Sequence, residues 1–287
     1  MGTSNSYGGP GGNTPLIPSW FGGGDDGGGD GTPDAAPNDG QQNPPNNGDT
    51  PNPIITPTSP GSRFQTPRGN FTRFVGSGGS DRRSLGRAVS GYVSGSMSGA
   101  KNASKRMGSS RRVAGGLINF LSAAAGAGIN AALTERNLGH LIGKSAEDIF
   151  IGLSGVICPH GGSVDEGIAR NAFMETVVEL IGAGITDLNQ LTAEQVFAII
   201  QLFATNSIEA RLCNDIGTKI CIAAENIPQV ENVQQQLHDF ISGAVSDALE
   251  RFSNDINELS SDETGKIVDT IYTEAFSILE TLGDAES

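Results

Sequence analysis

In this 287-residue chain, the apolar segments that read as periodic at helical spacing all lie beyond residue 112. A fold needs enough of them to offset the entropy of ordering its backbone. The boundary therefore predicts a core built from residues 113–287. Beyond it, apolar residues recur at intervals of three and four, the repeat of one helix face. Within 230–252, Val233, Leu237, Phe240, Ile241, Ala244, Val245, Ala248 and Phe252 make one such stripe. Helix starts are marked as well. Ser163 with Glu166, Thr192 with Gln195 and Ser260 with Glu263 have capping-box spacing ahead of 168–181, 196–204 and 267–282. Asn206 with Glu209 predicts another start before 212–224, and Pro228 suits a first helical turn. Strand-like alternation is scarce. The prediction is an all-α bundle of roughly six to eight helices.

Residues 113–133 form an uncharged run rich in Ala and Gly. Its length fits a membrane span, and Arg111-Arg112 ahead of it fits the positive-inside tendency. Asn119, Ser122 and Asn130 lower its apolar character, which favours the buried helix of a bundle. The membrane reading stays as the alternative: an effector that inserts 113–133 into a bilayer.

Charge divides the chain into three. Residues 1–62 contain six Asp and no Lys or Arg. Residues 63–112 carry a net of +10, and residues 113–287 a net of −18. The total of −14 thus conceals a basic segment between two acidic ones. The first segment is a Gly/Pro/Asn/Asp-rich arm, expected to be disordered because it has too little apolar surface to collapse. One apolar island interrupts it, Leu16-Ile17-Pro18-Ser19-Trp20-Phe21, with the chain's single Trp. Leu16, Ile17, Trp20 and Phe21 are candidate anchors for a partner's groove.

The basic segment reads as a Gly/Ser/Arg-rich linker with a weak helix over 82–107, where Gly86, Gly91, Gly95 and Gly99 each reduce helix stability. Its candidate contact residues are Arg63, Arg68, Arg73, Arg82, Arg83 and Arg87, interleaved with Phe64, Phe71, Phe74 and Tyr92. Two occupants fit: an acidic protein surface, and single-stranded nucleic acid held by phosphate pairing and base stacking. No defined nucleic-acid module is present, which favours protein.

Catalytic groupings are thin. Cys158 and His160 lie one residue apart with no third group to orient them. Cys213 and Cys221 are eight apart, two helical turns, too far to share one ion easily. No catalytic residue and no metal site is assigned, and the chain reads as a non-enzyme. Three cysteines and no secretory n- and h-region point to a reduced, cytoplasmic setting.

The N-terminal residues Met1-Gly2-Thr3-Ser4-Asn5-Ser6-Tyr7-Gly8-Gly9-Pro10, then Pro15-Leu16-Ile17-Pro18-Ser19-Trp20, resemble the start of the QatB family, accessory proteins of four-component Qat anti-phage defence systems. The resemblance is strongest over the first twenty residues and loose beyond. It implies neighbours: an ATPase, a QueC-like protein and a TatD-like nuclease. QueC-type enzymes use ATP to activate the carboxylate of a deazaguanine precursor, and defence relatives direct that chemistry to a partner's N-terminal glycine. The implied acceptor is Gly2, exposed when Met1 is removed. Thr3, Ser4, Asn5, Ser6 and Tyr7 would lie along the partner's channel. ATP and the precursor belong to that partner, with no cofactor on this chain.

Overall fold

The computed structural model describes residues 62–158, 162–189, 191–217, 227–251 and 261–285. The arm, with Gly2, Thr3, Ser4, Asn5, Ser6, Tyr7, Leu16, Ile17, Trp20 and Phe21, lies outside the described residues, as do Ser260, His160, Cys221 and Phe252.

The described residues hold ten α-helices and no strand. In chain order these are α1 (Gln65–Gly76), α2 (Arg82–Gly91), α3 (Ala100–Lys105), α4 (Gly108–Ala127) and α5 (Ile129–Glu135). They continue as α6 (Ala146–Ile157), α7 (Val164–Gly182), α8 (Ala193–Ile216), α9 (Ile227–Glu250) and α10 (Ser261–Ala285). A π-helical turn at Tyr92–Ser96 joins α2 towards α3, and a 3-10 turn spans Gly139–Leu141. The all-α reading holds. Helices α4 to α10 match the expected number; α1 to α3 come in addition, from the basic segment.

That segment is the main correction. It is no linker: it supplies core. Phe71, Phe74 and Val75 of α1 are buried, as are Leu85, Ala88 and Val89 of α2, then Tyr92, Val93 and Met97. They join the same hydrophobic core as the later helices. The spacing was helical all along: 71, 74, 75 and 85, 88, 89, 92. Gly, Ser and Arg between them masked it. On α2 the small Ser84, Gly86 and Ser90 are buried too, allowing close approach where α2 packs on α1 and α10.

Helix α8 is central, packed by α1, α4, α7 and α9. Its buried residues run from Val196 to Ile216 and include Phe203, Ile208 and Leu212. A helix apolar over so much of its circumference is a buried one. It is also the one described helix long and apolar enough to cross a membrane, and 61% of that window is buried. The stripe read on α9 is confirmed: Val233, Leu237, Ile241, Ala244, Val245 and Ala248 are buried, with Phe240 half-buried against them.

Both capping boxes at Ser163–Glu166 and Thr192–Gln195 are formed in full. Ser145 and Asp81 add caps on α6 and α2, accepting from the amides of Asp148 and Ser84. Asn206 is not a cap. It sits inside α8, buried, and donates to Thr176 Oγ1 at 3.2 Å and Glu179 Oε1 at 3.0 Å on α7. A helix–helix hydrogen bond there outweighs a local start signal.

The uncharged run is broken, not continuous. Gly128 (φ +89°, ψ 155°) separates α4 from α5 in a conformation that needs glycine. Val113, Leu117, Ile118, Phe120 and Leu121 are buried. Asn119, the polar residue within the run, accepts from Thr264 of α10 at 3.0 Å. The membrane-inserting alternative for 113–133 is therefore corrected to a core helix with a turn at its end.

Candidate functional site

Three features stand out on the folded residues: a buried charge network, a set of free cations and an acidic cleft. The network is centred on Arg211 of α8. Its guanidinium is 8% exposed and pairs with Asp165, in the first turn of α7, and with Asp215 one turn along α8. The Nε to Asp215 Oδ2 distance is 3.1 Å, an ion-pair contact without hydrogen-bond alignment. Tyr92 donates to the same Oδ2 at 2.8 Å. Arg68 Nε donates to the Asp215 carbonyl at 2.9 Å. Burial opposes charge on Arg211, but the field of Asp215, with further contributions from Tyr92 and Asp165, raises its pKa above the ordinary value. Burial, then the Asp215 charge, pushes the Tyr92 hydroxyl far up, so it stays a donor. The network fastens α1 and the π-turn to α7 and α8.

The six arginines singled out in the sequence do not converge. Arg63 lies 4.8 Å over the Phe64 ring and reaches Met97 Sδ at 3.9 Å. Arg68 also stacks on Phe64, at 5.5 Å. Arg73 donates to Asn70 at 3.1 Å, and Arg82 donates to Gln236 of α9 at 2.6 Å. Arg83 and Arg87 are exposed and make no ion pair among the described residues. Phe71, Phe74 and Tyr92 are buried, so the stacking surface that single-stranded nucleic acid needs is absent from them. What joins this segment to the body is mainly apolar packing, which salt does not screen.

The acidic cleft, of about 690 Å³, lies among α7, α8 and α9. Glu175, Glu179, Glu209 and Glu231 line it with His238, Asn171, Asn206, Gln234, Gln235 and Cys213. Glu209 and His238 Nδ1 are 3.0 Å apart. Only the packing of α9 against α8 brings Glu231 and His238 to the acids of the other two helices.

The hydrogen bond to Glu209 raises the His238 pKa above its ordinary 6.5; burial opposes this, and the charges of Glu209, Glu179 and Asp239 add to it. A raised folded-state pKa gives stability that is complete below about 6.5 and fades as pH climbs through the folded value. Unfolding titrated from pH 6 to 9 is expected to show a decline that His238→Gln removes. An equal decline in the variant would place the effect elsewhere.

Cys213 is pushed up to about 12 by burial and then by Glu209, and Cys158 up to about 11 by burial. Both thiols stay protonated at neutral pH, the inert form. Among the described residues, no group of three His, Cys, Asp or Glu is placed to hold a metal ion.

A family model described as "Qat anti-phage system associated protein QatB" matches residues 98–279. The chain belongs to the QatB family. The match runs from just before α3 into α10 and so contains the whole acidic cleft. It does not overlap the N-terminal stretch that carries the sequence resemblance, so two separate parts of the chain lead to one family. No match was found among curated proteins or among solved structures. QatB membership makes this chain an accessory component of an anti-phage defence system, with other Qat components as its partners.

Proposed function

We propose that this QatB-family chain is a non-enzymatic acceptor. It binds a QueC-like partner and offers the α-amine of Gly2, freed by removal of Met1, for conjugation to a deazaguanine. The observation that carries the reading is the N-terminal sequence Met1-Gly2-Thr3-Ser4-Asn5-Ser6-Tyr7 on some sixty Gly-rich residues ahead of the first described helix at Gln65. A Gly-rich coil of that length spans roughly 40–45 Å root-mean-square, enough to enter a site on another protein.

An α-amine titrates near ~8, against ~10.4 for lysine, so far more of it is neutral and nucleophilic at physiological pH. Its nitrogen attacks the carbonyl carbon of an acyl adenylate made by the partner from ATP. The C–N bond forms, AMP leaves with the C–O bonding pair, and the amine gives up a proton to base. Glycine has no side chain to clash with a nucleobase-sized pocket. Thr3, Ser4, Asn5, Ser6 and Tyr7 pair along the channel, and Leu16, Ile17, Trp20 and Phe21 anchor the arm. ATP and the precursor stay with the partner, the ATPase and the TatD-like nuclease act elsewhere in the system, and the setting is cytoplasmic.

The test is substitution of Gly2 by Trp, which blocks Met1 removal and fills the pocket. Phage protection is expected to vanish while partner pull-down persists. Full protection by the variant would end the reading.

A further inference from the structure

Helices α2 and α3 carry exposed cations, of which Arg83 and Arg87 add to the Ser84 hydrogen bonds that hold the α2 cap carboxyl Asp81 below its ordinary pKa. Arg83 and Arg87 sit one turn apart on α2, and Lys101 and Lys105 one turn apart on α3. All four are exposed and, among the described residues, none has an ion-pair partner. Residues four apart on a helix stand about 5–6 Å from each other, so each pair is a compact double charge. Both helices pack on α10, which places the two stripes on the outer side of the layer covering it.

The acidic cleft is the counterpart. Its wall carboxylates are already held, Glu179 by Asn206 and Glu209 by His238. Glu175 and Glu231 are exposed and make no ion pair among the described residues. Beside Glu175 and Glu179 on α7, Val178 is 65% exposed, an apolar side chain with nothing over it. In this structure the four cations make no ion pair with the cleft of their own chain. Two complementary charged surfaces are thus left unsatisfied on one molecule.

We propose that the α2–α3 basic face docks into the α7–α9 acidic cleft of a second copy of this chain. The inference is independent of Gly2 conjugation. A nucleic acid is the poorer occupant because the segment's Phe71, Phe74 and Tyr92 are buried and offer no stacking surface. A second copy supplies a concave site of opposite sign and limited extent, and covers Val178. Because the two patches differ, the contact is heterologous. It closes into a ring where the rotation allows and otherwise extends as an open chain. Opposite patches of this kind speed encounter and fix register more than they add affinity, so the assembly is salt-sensitive and concentration-dependent.

The experiment is sedimentation velocity of the full-length chain over a wide concentration range, at low and at high salt. Association at low salt that is lost at high salt is expected. R83E/R87E and, separately, E175R/E231R are each expected to weaken it by on the order of tenfold or more, since attractive pairs become repulsive ones. Mixing the two variants is expected to restore assembly, because the reversed face meets the reversed cleft. All four positions are exposed, and circular dichroism checks that both variants keep the fold. A chain that stays monomeric under every condition overturns the proposal. So does association indifferent to both reversals. Loss of co-purifying nucleic acid from R83E/R87E with no change in assembly would assign the face to a polyanion and overturn it equally.

Discussion

A chain starting at residue 98, where the family match begins, is expected not to fold, whereas one starting at residue 62 keeps the melting temperature of the full chain. Removing residues 62–97 takes Phe71, Phe74, Val75, Leu85, Val89, Tyr92 and Val93 out of the core. Each buried side chain of this size is worth about 1.5–3 kcal/mol. Together they exceed about 10 kcal/mol, comparable to the whole stability of a domain at about 5–15 kcal/mol. The cut also strips one side of α10, where α2 and the π-turn pack. Thermal melts followed by circular dichroism decide it. A 98–287 chain that melts cooperatively at the full-length temperature would show that α1 and α2 are additions to a body complete without them.

Arg211→Met is expected to cost about 3–5 kcal/mol, the usual price of breaking a buried ion pair from one side. Arg211 and Asp215 are 8% and 11% exposed, so water replaces little of what Asp215 loses. Tyr92→Phe should cost about 1 kcal/mol, since it removes one donor while Arg211 stays. The two changes share Asp215, and a double-mutant cycle should show them far from additive. Urea denaturation of the three variants checks this. Additive losses would mean that Tyr92 and Arg211 act on separate parts of the fold.

The sequence was most readable where one rule acted alone. The stripe on α9 and the capping boxes of α7 and α8 were evident because their neighbours are polar and the spacing is clean. Reading failed where tertiary contact overrode a local signal. Asn206 and Glu209 look like a helix start, yet Asn206 bonds across to α7 and Glu209 faces His238. In α1 and α2 the helical phase was present, but Gly, Ser and Arg made the composition resemble a linker. The buried Ser84, Gly86 and Ser90 show why small residues belong there: they let α2 pack closely. The acidic cleft was not legible at all. Its residues come from three helices between 171 and 238, and nothing in their local spacing says that α7, α8 and α9 bring them together. The arm is the reverse case, since its first residues pointed to a family by pattern alone, and the match over 98–279 reached that family from other residues.

Under the proposed function, Gly2 is the residue whose α-amine is conjugated. This is tested most directly by the intact mass of the full-length chain purified after co-expression with a QueC-like protein of the same system. A chain without Met1 is expected, heavier by one deazaguanine carboxylic acid less water, with fragment ions placing the addition on Gly2. A free N-terminal glycine, or retained Met1, in cells that resist phage would contradict it.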